Sequence, residues 1–255
     1  SKKCYNDIGD FMLLNVKDTD VNYVRYGKEN SQTIVYLHGW GQNIQMMKPV
    51  ADPFQDKFDI VILDLPGYGQ SSEPKYAWTV YDYVEFLKEF LEKLKIKKPI
   101  LVGHSFGGKI SLLYASKYEV EKLVLFGSPF KKEIEKLSLK TKTLKALKKV
   151  PLINKFEDFA KKHIGSTDYR NASKIMREIL VLTVNLDITE EVKKIKAPTF
   201  IIWGSLDEAV DVERAYELEK LIPDAGLAVY DNCTHYAYLE NLKQTINIMD
   251  SFLNN

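Results

Sequence analysis

Eight short apolar runs punctuate the chain, at residues 11–16, 21–26, 33–39, 59–67, 99–105, 121–128, 198–205 and 225–232. They are rich in Val, Ile and aromatic residues and are closed by Gly, Pro, Asp or Asn, which marks them as strands. From TIVYLHG onward several are continuous apolar runs rather than alternations, as strands buried on both faces of a parallel sheet must be. Helices then have to cover both faces. Val80, Tyr83, Val84, Leu87, Leu91 and Leu94 recur at steps of three and four and predict one helix. Ile110, Leu113 and Tyr114 predict a second after Gly108, and His235 to Leu253 reads as a third. Leading strands followed by alternating strand and helix predict an α/β fold: a doubly wound, mostly parallel eight-stranded sheet with an antiparallel start.

One stretch breaks the alternation. Residues 129–195 turn lysine-rich and helical, and a structureless loop of that length does not suit a compact domain. The expectation is a helical cap at 129–195 inserted into a core of residues 1–128 and 196–255. Its apolar positions, Leu144, Leu147, Ile179, Leu180, Leu182 and Val184, are expected to face the sheet edge where strands end and ligands bind.

Composition narrows the function. With 36 basic and 35 acidic side chains the net charge is +1, which gives no reason to expect nucleic acid as a partner. Cys4 and Cys233 allow at most one bridge, which fits a reduced, cytoplasmic setting. No stretch approaches the roughly 18 to 20 apolar residues of a membrane span. Metal-ligand spacings and phosphate-binding glycine loops are missing, so the chemistry is expected to need neither metal nor cofactor. The cap lysines, from Lys131 and Lys132 to Lys148 and Lys149, are read as a solvated helix face, with an acidic carrier protein or anionic surface as the alternative.

The candidate chemistry lies in PILVGHSFGG, residues 99–108. A side chain at a strand tip that turns at once into a helix is pushed toward substrate, and only small residues fit two positions before and after it. Gly103 and Gly107 meet that demand around Ser105, and Gly108 admits closer packing. The turn presents Ser105 as a nucleophile, with the Phe106 N–H as an oxyanion donor. A serine needs a base and a group that fixes the base's tautomer. His38 and His104 sit beside turns and His163 lies in the cap, which leaves His235, after the last strand, as base. Asp207 is the favoured acid, with Glu208 and Asp211 as rivals. Gly39 and Gly41 let the loop after the third strand aim the Trp40 N–H at the same oxyanion. The Trp40 side chain is expected to line the acyl pocket, and Cys233 to be a small buried hydrophobe.

In order and spacing, HGWG (38–41), DLPGYGQS (64–71), GHSFGG (103–108), WGSLD (203–207) and the segment around His235 resemble the α/β-hydrolase fold superfamily over nearly the whole chain except the cap. The resemblance implies Ser105 as nucleophile, Asp207 as acid, His235 as base, and the Trp40 and Phe106 main chains as oxyanion hole. Where family members often carry Gly before the base, this chain has Thr234. The implied activity is a serine hydrolase that cleaves small-molecule carboxylic esters with small to medium, largely apolar acyl groups. C–C bond hydrolases, perhydrolases, aminopeptidases and carrier-protein methyl ester esterases share the fold and triad, HGWGQN being reminiscent of the last. A slow-turnover ligand receptor is the reading from outside catalysis.

Overall fold

A computed structural model describes residues 10–132 and 170–255. Its strands are β1 (Met12–Val16), β2 (Thr19–Gly27), β3 (Thr33–Leu37), β4 (Asp59–Leu63), β5 (Ile100–His104), β6 (Lys122–Phe126), β7 (Thr199–Gly204) and β8 (Ala225–Tyr230). They form one eight-stranded sheet in the order β1-β2-β4-β3-β5-β6-β7-β8. Only the β1–β2 and β2–β4 pairings are antiparallel; β4 through β8 run parallel.

The apolar runs are continuous because both faces are covered. Val35, Leu37, Leu101, Leu123, Leu125 and Ile201 belong to one core, and the alternate positions Ile34, Tyr36, Ile100, Val102, Val124 and Ile202 to the other. The first is covered by α2 (Val80–Lys93) and α3 (Phe106–Lys117), the second by α1 (Lys48–Ala51) and α8 (Leu242–Asn254). Thr79 and Asp82 close a reciprocal capping box at the start of α2, satisfying two main-chain donors that a helix start otherwise leaves open. The remaining described helices are α4 (Lys174–Asn185), α5 (Thr189–Val192), α6 (Glu213–Leu221) and α7 (Ala237–Glu240).

Several expectations change. The C-terminal helix does not begin at His235: that residue lies in a turn, and α7 and α8 are separate helices that meet at Asn241, whose φ of −121° and ψ of 56° are not helical. A short helical passage from Ile44 to Phe54, unmarked by any period, covers the sheet between β3 and β4. Ile179, Leu180 and Val184 of α4 are buried, whereas Leu182 is exposed because it projects from the opposite side of the helix. Leu144, Leu147, His163 and most of the lysine-rich stretch lie outside the described residues. On either side of that stretch the chain is joined: Ile188 N–H donates to the carbonyl of buried Phe130 at 2.8 Å. Lys109 of α3, also buried, donates to the carbonyls of Thr183 and Leu186 at 2.8 and 2.5 Å, placing a cation at the C-terminal end of the α4 dipole.

Candidate active site

β5 passes into α3 at Ser105, whose φ of 52° and ψ of −113° no other residue of the turn shares. A non-glycine residue there carries strain of roughly 1–3 kcal/mol. The surroundings hold it in place: Ser105 N–H donates to Phe126 O at 2.9 Å, and Lys109 N–H to Ser105 O at 3.0 Å. The glycines answer to named neighbours. A Cβ on Gly103 would fall 2.6 Å from Gly107 O, one on Gly107 would fall 2.5 Å from His38 O, and one on Gly108 would fall 2.5 Å from Ser128 Cβ. Strand, helix and the end of β3 therefore approach one another to main-chain distance around the serine.

Just beyond β7, Asp207 is buried in a tight turn, its N–H donating to Gly204 O. One carboxylate oxygen accepts from the Ala209 and Val210 N–H groups at 2.8 Å each. The other lies 2.7 Å from His235 Nδ1. Since the carboxylate accepts, Nδ1 carries a proton, the tautomer that in the neutral ring leaves Nε2 with the lone pair. The rival acids are placed elsewhere: Glu208 is exposed, and Asp211 accepts from Glu213 N–H at the start of α6.

Two glycines overlooked in the sequence seat this pair. Gly127, at φ 50°, would put a Cβ 3.0 Å from His235 Nδ1 and 3.2 Å from Asp207 Oδ2. Gly204 lies under the main chain of Cys233, where a Cβ would fall 2.6 Å from the carbonyl carbon. Their signal was present as the glycine closing each of two strands. Thr234, where the resemblance leads one to expect glycine, is put to use: its N–H and its hydroxyl both donate to the Glu240 carboxylate, at 2.9–3.1 Å, which ties the His235 turn to α7. Cys233 is half-buried, and burial raises its thiol pKa, which keeps it protonated at neutral pH.

The loop after β3 is braced from below. His38, fully buried, accepts from Leu65 N–H at Nε2 (2.9 Å) and donates from Nδ1 to Gly39 O (2.7 Å). Burial pushes its pKa down to about 4, so the ring is neutral. Asp64, within the DLPGYGQS segment, accepts from Ile44 N–H, Gln70 N–H and Asn22 Nδ2 at 2.8–2.9 Å and so ties its own loop to β2 and to the start of the helical passage after β3. Sequence reasoning noted that segment without assigning the carboxylate a task. Trp40 packs edge-on against Tyr68 (5.3 Å between ring centroids) and Phe106 (5.9 Å). Among the described residues, neither the Trp40 nor the Phe106 main-chain N–H is taken up by a hydrogen bond within the protein.

The predicted residues thus converge on one edge of the sheet. Asp207 and His235 are hydrogen-bonded, and Ser105 hangs from Phe126, the neighbour of the Gly127 that faces them. Among the described residues no hydrogen bond joins Ser105 Oγ to His235. Such contacts are often long before substrate binds.

A family model for the alpha/beta hydrolase fold matches residues 32–139, the part of the chain that carries β3 to β6 and the Ser105 turn. The chain has the α/β-hydrolase fold. Proteins it is similar to include an AB hydrolase superfamily protein, YisY, of Bacillus subtilis, 26% identical over 251 residues that cover 88% of this chain and 92% of the relative. The pimeloyl-[acyl-carrier protein] methyl ester esterase of Aliivibrio fischeri is 25% identical over 245 residues, 87% of this chain and 93% of that one. Among solved structures, the enol-lactonase from Burkholderia xenovorans superposes with a TM-score of 0.78 over 96% of this chain and all of that chain, at 18% identity, which is a likeness of fold. Hydrolase is the activity class that these relationships support. No helix among the described residues is long and apolar enough to cross a membrane.

Proposed function

We propose that this protein is a serine hydrolase that cleaves carboxylic esters through an acyl-enzyme. The observation that carries the reading is the pairing of a strained, strand-tip serine with a buried Asp207 hydrogen-bonded to His235 at the same sheet edge. In the reaction Ser105 Oγ attacks the ester carbonyl as its proton passes to His235 Nε2. The carbonyl oxygen becomes an oxyanion, received by the Trp40 and Phe106 N–H groups. Collapse breaks the C–O bond, and His235 returns the proton to the leaving alcohol. Water then repeats the sequence on the acyl-enzyme and releases the acid. Asp207 holds His235 in the Nδ1–H tautomer and stabilises the imidazolium that forms.

Esters are favoured on two grounds. The matched methyl ester esterase acts, by its name, on an ester. The rings of Trp40, Tyr68 and Phe106 beside the turn give an apolar floor suited to a small or medium acyl group. A small-molecule substrate and a cytoplasmic setting belong to the same proposal, on the balanced charge and the two cysteines. The test is rapid-mix kinetics with a p-nitrophenyl ester of a short acid. A burst of nitrophenol equal to the enzyme concentration is expected, and Ser105→Ala should lower turnover by about 10³-fold or more. A Ser105→Ala enzyme that hydrolyses at the wild-type rate would overturn the reading.

A further inference from the structure

His104 is the last residue of β5 and immediately precedes Ser105, and its ring is fully buried. Its Nε2 lies 2.9 Å from the main-chain oxygen of His235, and its Nδ1 lies 3.3 Å from Gln42 Oε1. A carbonyl can only accept, so Nε2 is the nitrogen that bears hydrogen. Burial, with the His235 ring beside it, drives the His104 pKa well below the ordinary histidine value, so Nδ1 holds a lone pair. Gln42 Oε1 meanwhile accepts from Gly39 N–H at 3.1 Å. The ring is wedged from both sides: the His235 and Tyr238 centroids are each 4.8 Å away, and a Cβ on Gly39 would sit 3.0 Å from Nδ1.

Three segments required by the proposed reaction therefore meet at one side chain. His235 is held at its imidazole by Asp207, and its turn is tied through Thr234 to Glu240, but neither contact fixes the His235 carbonyl itself. A further attachment, at its own carbonyl, fixes the main chain of the base directly. Among the described residues His104 is the only side chain that makes it. We propose that His104 is a positioning residue, whose Nε2–H pins the main chain of His235 and whose ring sets the spacing between that segment, Ser105 and the loop carrying Trp40. The proposal rests on the serine hydrolase reading above and adds a part that takes no share in the proton transfers.

His104→Phe keeps a packed ring and removes the donor; His104→Gln keeps an N–H donor on a different frame. With a p-nitrophenyl ester, His104→Phe should lower kcat about 10- to 100-fold while KM stays within about threefold, the scale expected when reacting groups shift by a fraction of an ångström to an ångström. His104→Gln should recover a large part of that loss. A purely space-filling role would predict the opposite ranking, with Phe the better replacement, and that result would overturn the proposal. Nitrogen-resolved NMR of the wild-type protein tests it without any variant: His104 should be a neutral Nε2–H tautomer with a protected proton, and an Nδ1–H tautomer would refute it. Wild-type protein without Ser105-dependent turnover would defeat the parent reading. Ser105-dependent turnover that His104→Phe leaves at the wild-type kcat would defeat this one alone.

Discussion

Gly107→Ala is the smallest change that should separate the Ser105 turn from the loop after β3. Gly107 N–H donates to His38 O at 3.1 Å, so the helix start and that loop are already in hydrogen-bond contact. An alanine Cβ would fall 2.5 Å from His38 O and 2.6 Å from the Leu37 carbonyl carbon, where ordinary contact begins at 3.4 Å. The obstacles are main-chain atoms, so no side-chain rotation relieves them. Relief requires the two segments to part by more than 0.9 Å, the difference between 3.4 and 2.5 Å at His38 O, because the Leu37 carbonyl oxygen would lie closer still. Overpacking of this kind costs about 1–3 kcal/mol of stability. A displacement near 1 Å between reacting groups costs about 10²-fold in rate. The expected outcome is therefore a folded protein with Tm lowered by a few degrees to about 10 °C and a kcat near one hundredth of wild type. Gly226→Ala is the control, because its Cβ would meet only the edge of the Phe200 ring at 3.1 Å, in a half-buried edge strand. Thermal denaturation and ester turnover are the two assays. A Gly107→Ala enzyme with wild-type kcat would show that the main-chain juxtaposition of helix and loop is not what the chemistry depends on.

Acid should act through His38. Unfolded, this residue takes a proton near pH 6.5; folded, it resists protonation until about pH 4. The native state binds fewer protons between those values, so stability is full above pH 6.5, falls as pH drops toward 4 and then levels off. The contribution lost between pH 6.5 and 5 is about 2 kcal/mol. Urea unfolding of wild type and His38→Gln at pH 7 and pH 5 measures it, and identical pH dependence in the two proteins would contradict it. Asp64→Asn presents a donor where the carboxylate accepts three N–H groups, and a loss of about 2–3 kcal/mol is expected in the same assay. A loss below about 0.5 kcal/mol would deny Asp64 its bracing role. Glu240→Ala frees the Thr234 turn and should lower kcat several-fold to about tenfold with little change in Tm; unchanged kcat would mean the turn holds without it.

The sheet was legible because its strands are buried on both faces: Val35 and Tyr36 belong to different cores, yet both must be apolar. Ser105 was legible because its turn imposes glycine at fixed positions along the chain, within four residues. What escaped reading depends on partners distant in sequence. Asp64 answers to Asn22 and Ile44, Gly127 to His235, and Lys109 to Leu186, and no local spacing encodes those meetings. Glu240 is closer to Thr234, but its task arises only once the turn at His235 interrupts what reads as one helical period. The passage from Ile44 to Phe54 failed for the opposite reason, since helices of three or four residues are too short to show a period.

Labelling with a fluorophosphonate, followed by peptide mapping, addresses the nucleophile itself. The reagent should attach stoichiometrically to the peptide containing residues 99–117, at Ser105, and Ser105→Ala should remain unlabelled under the same conditions. Stoichiometric attachment at any other residue, or undiminished labelling of Ser105→Ala, would contradict the assignment.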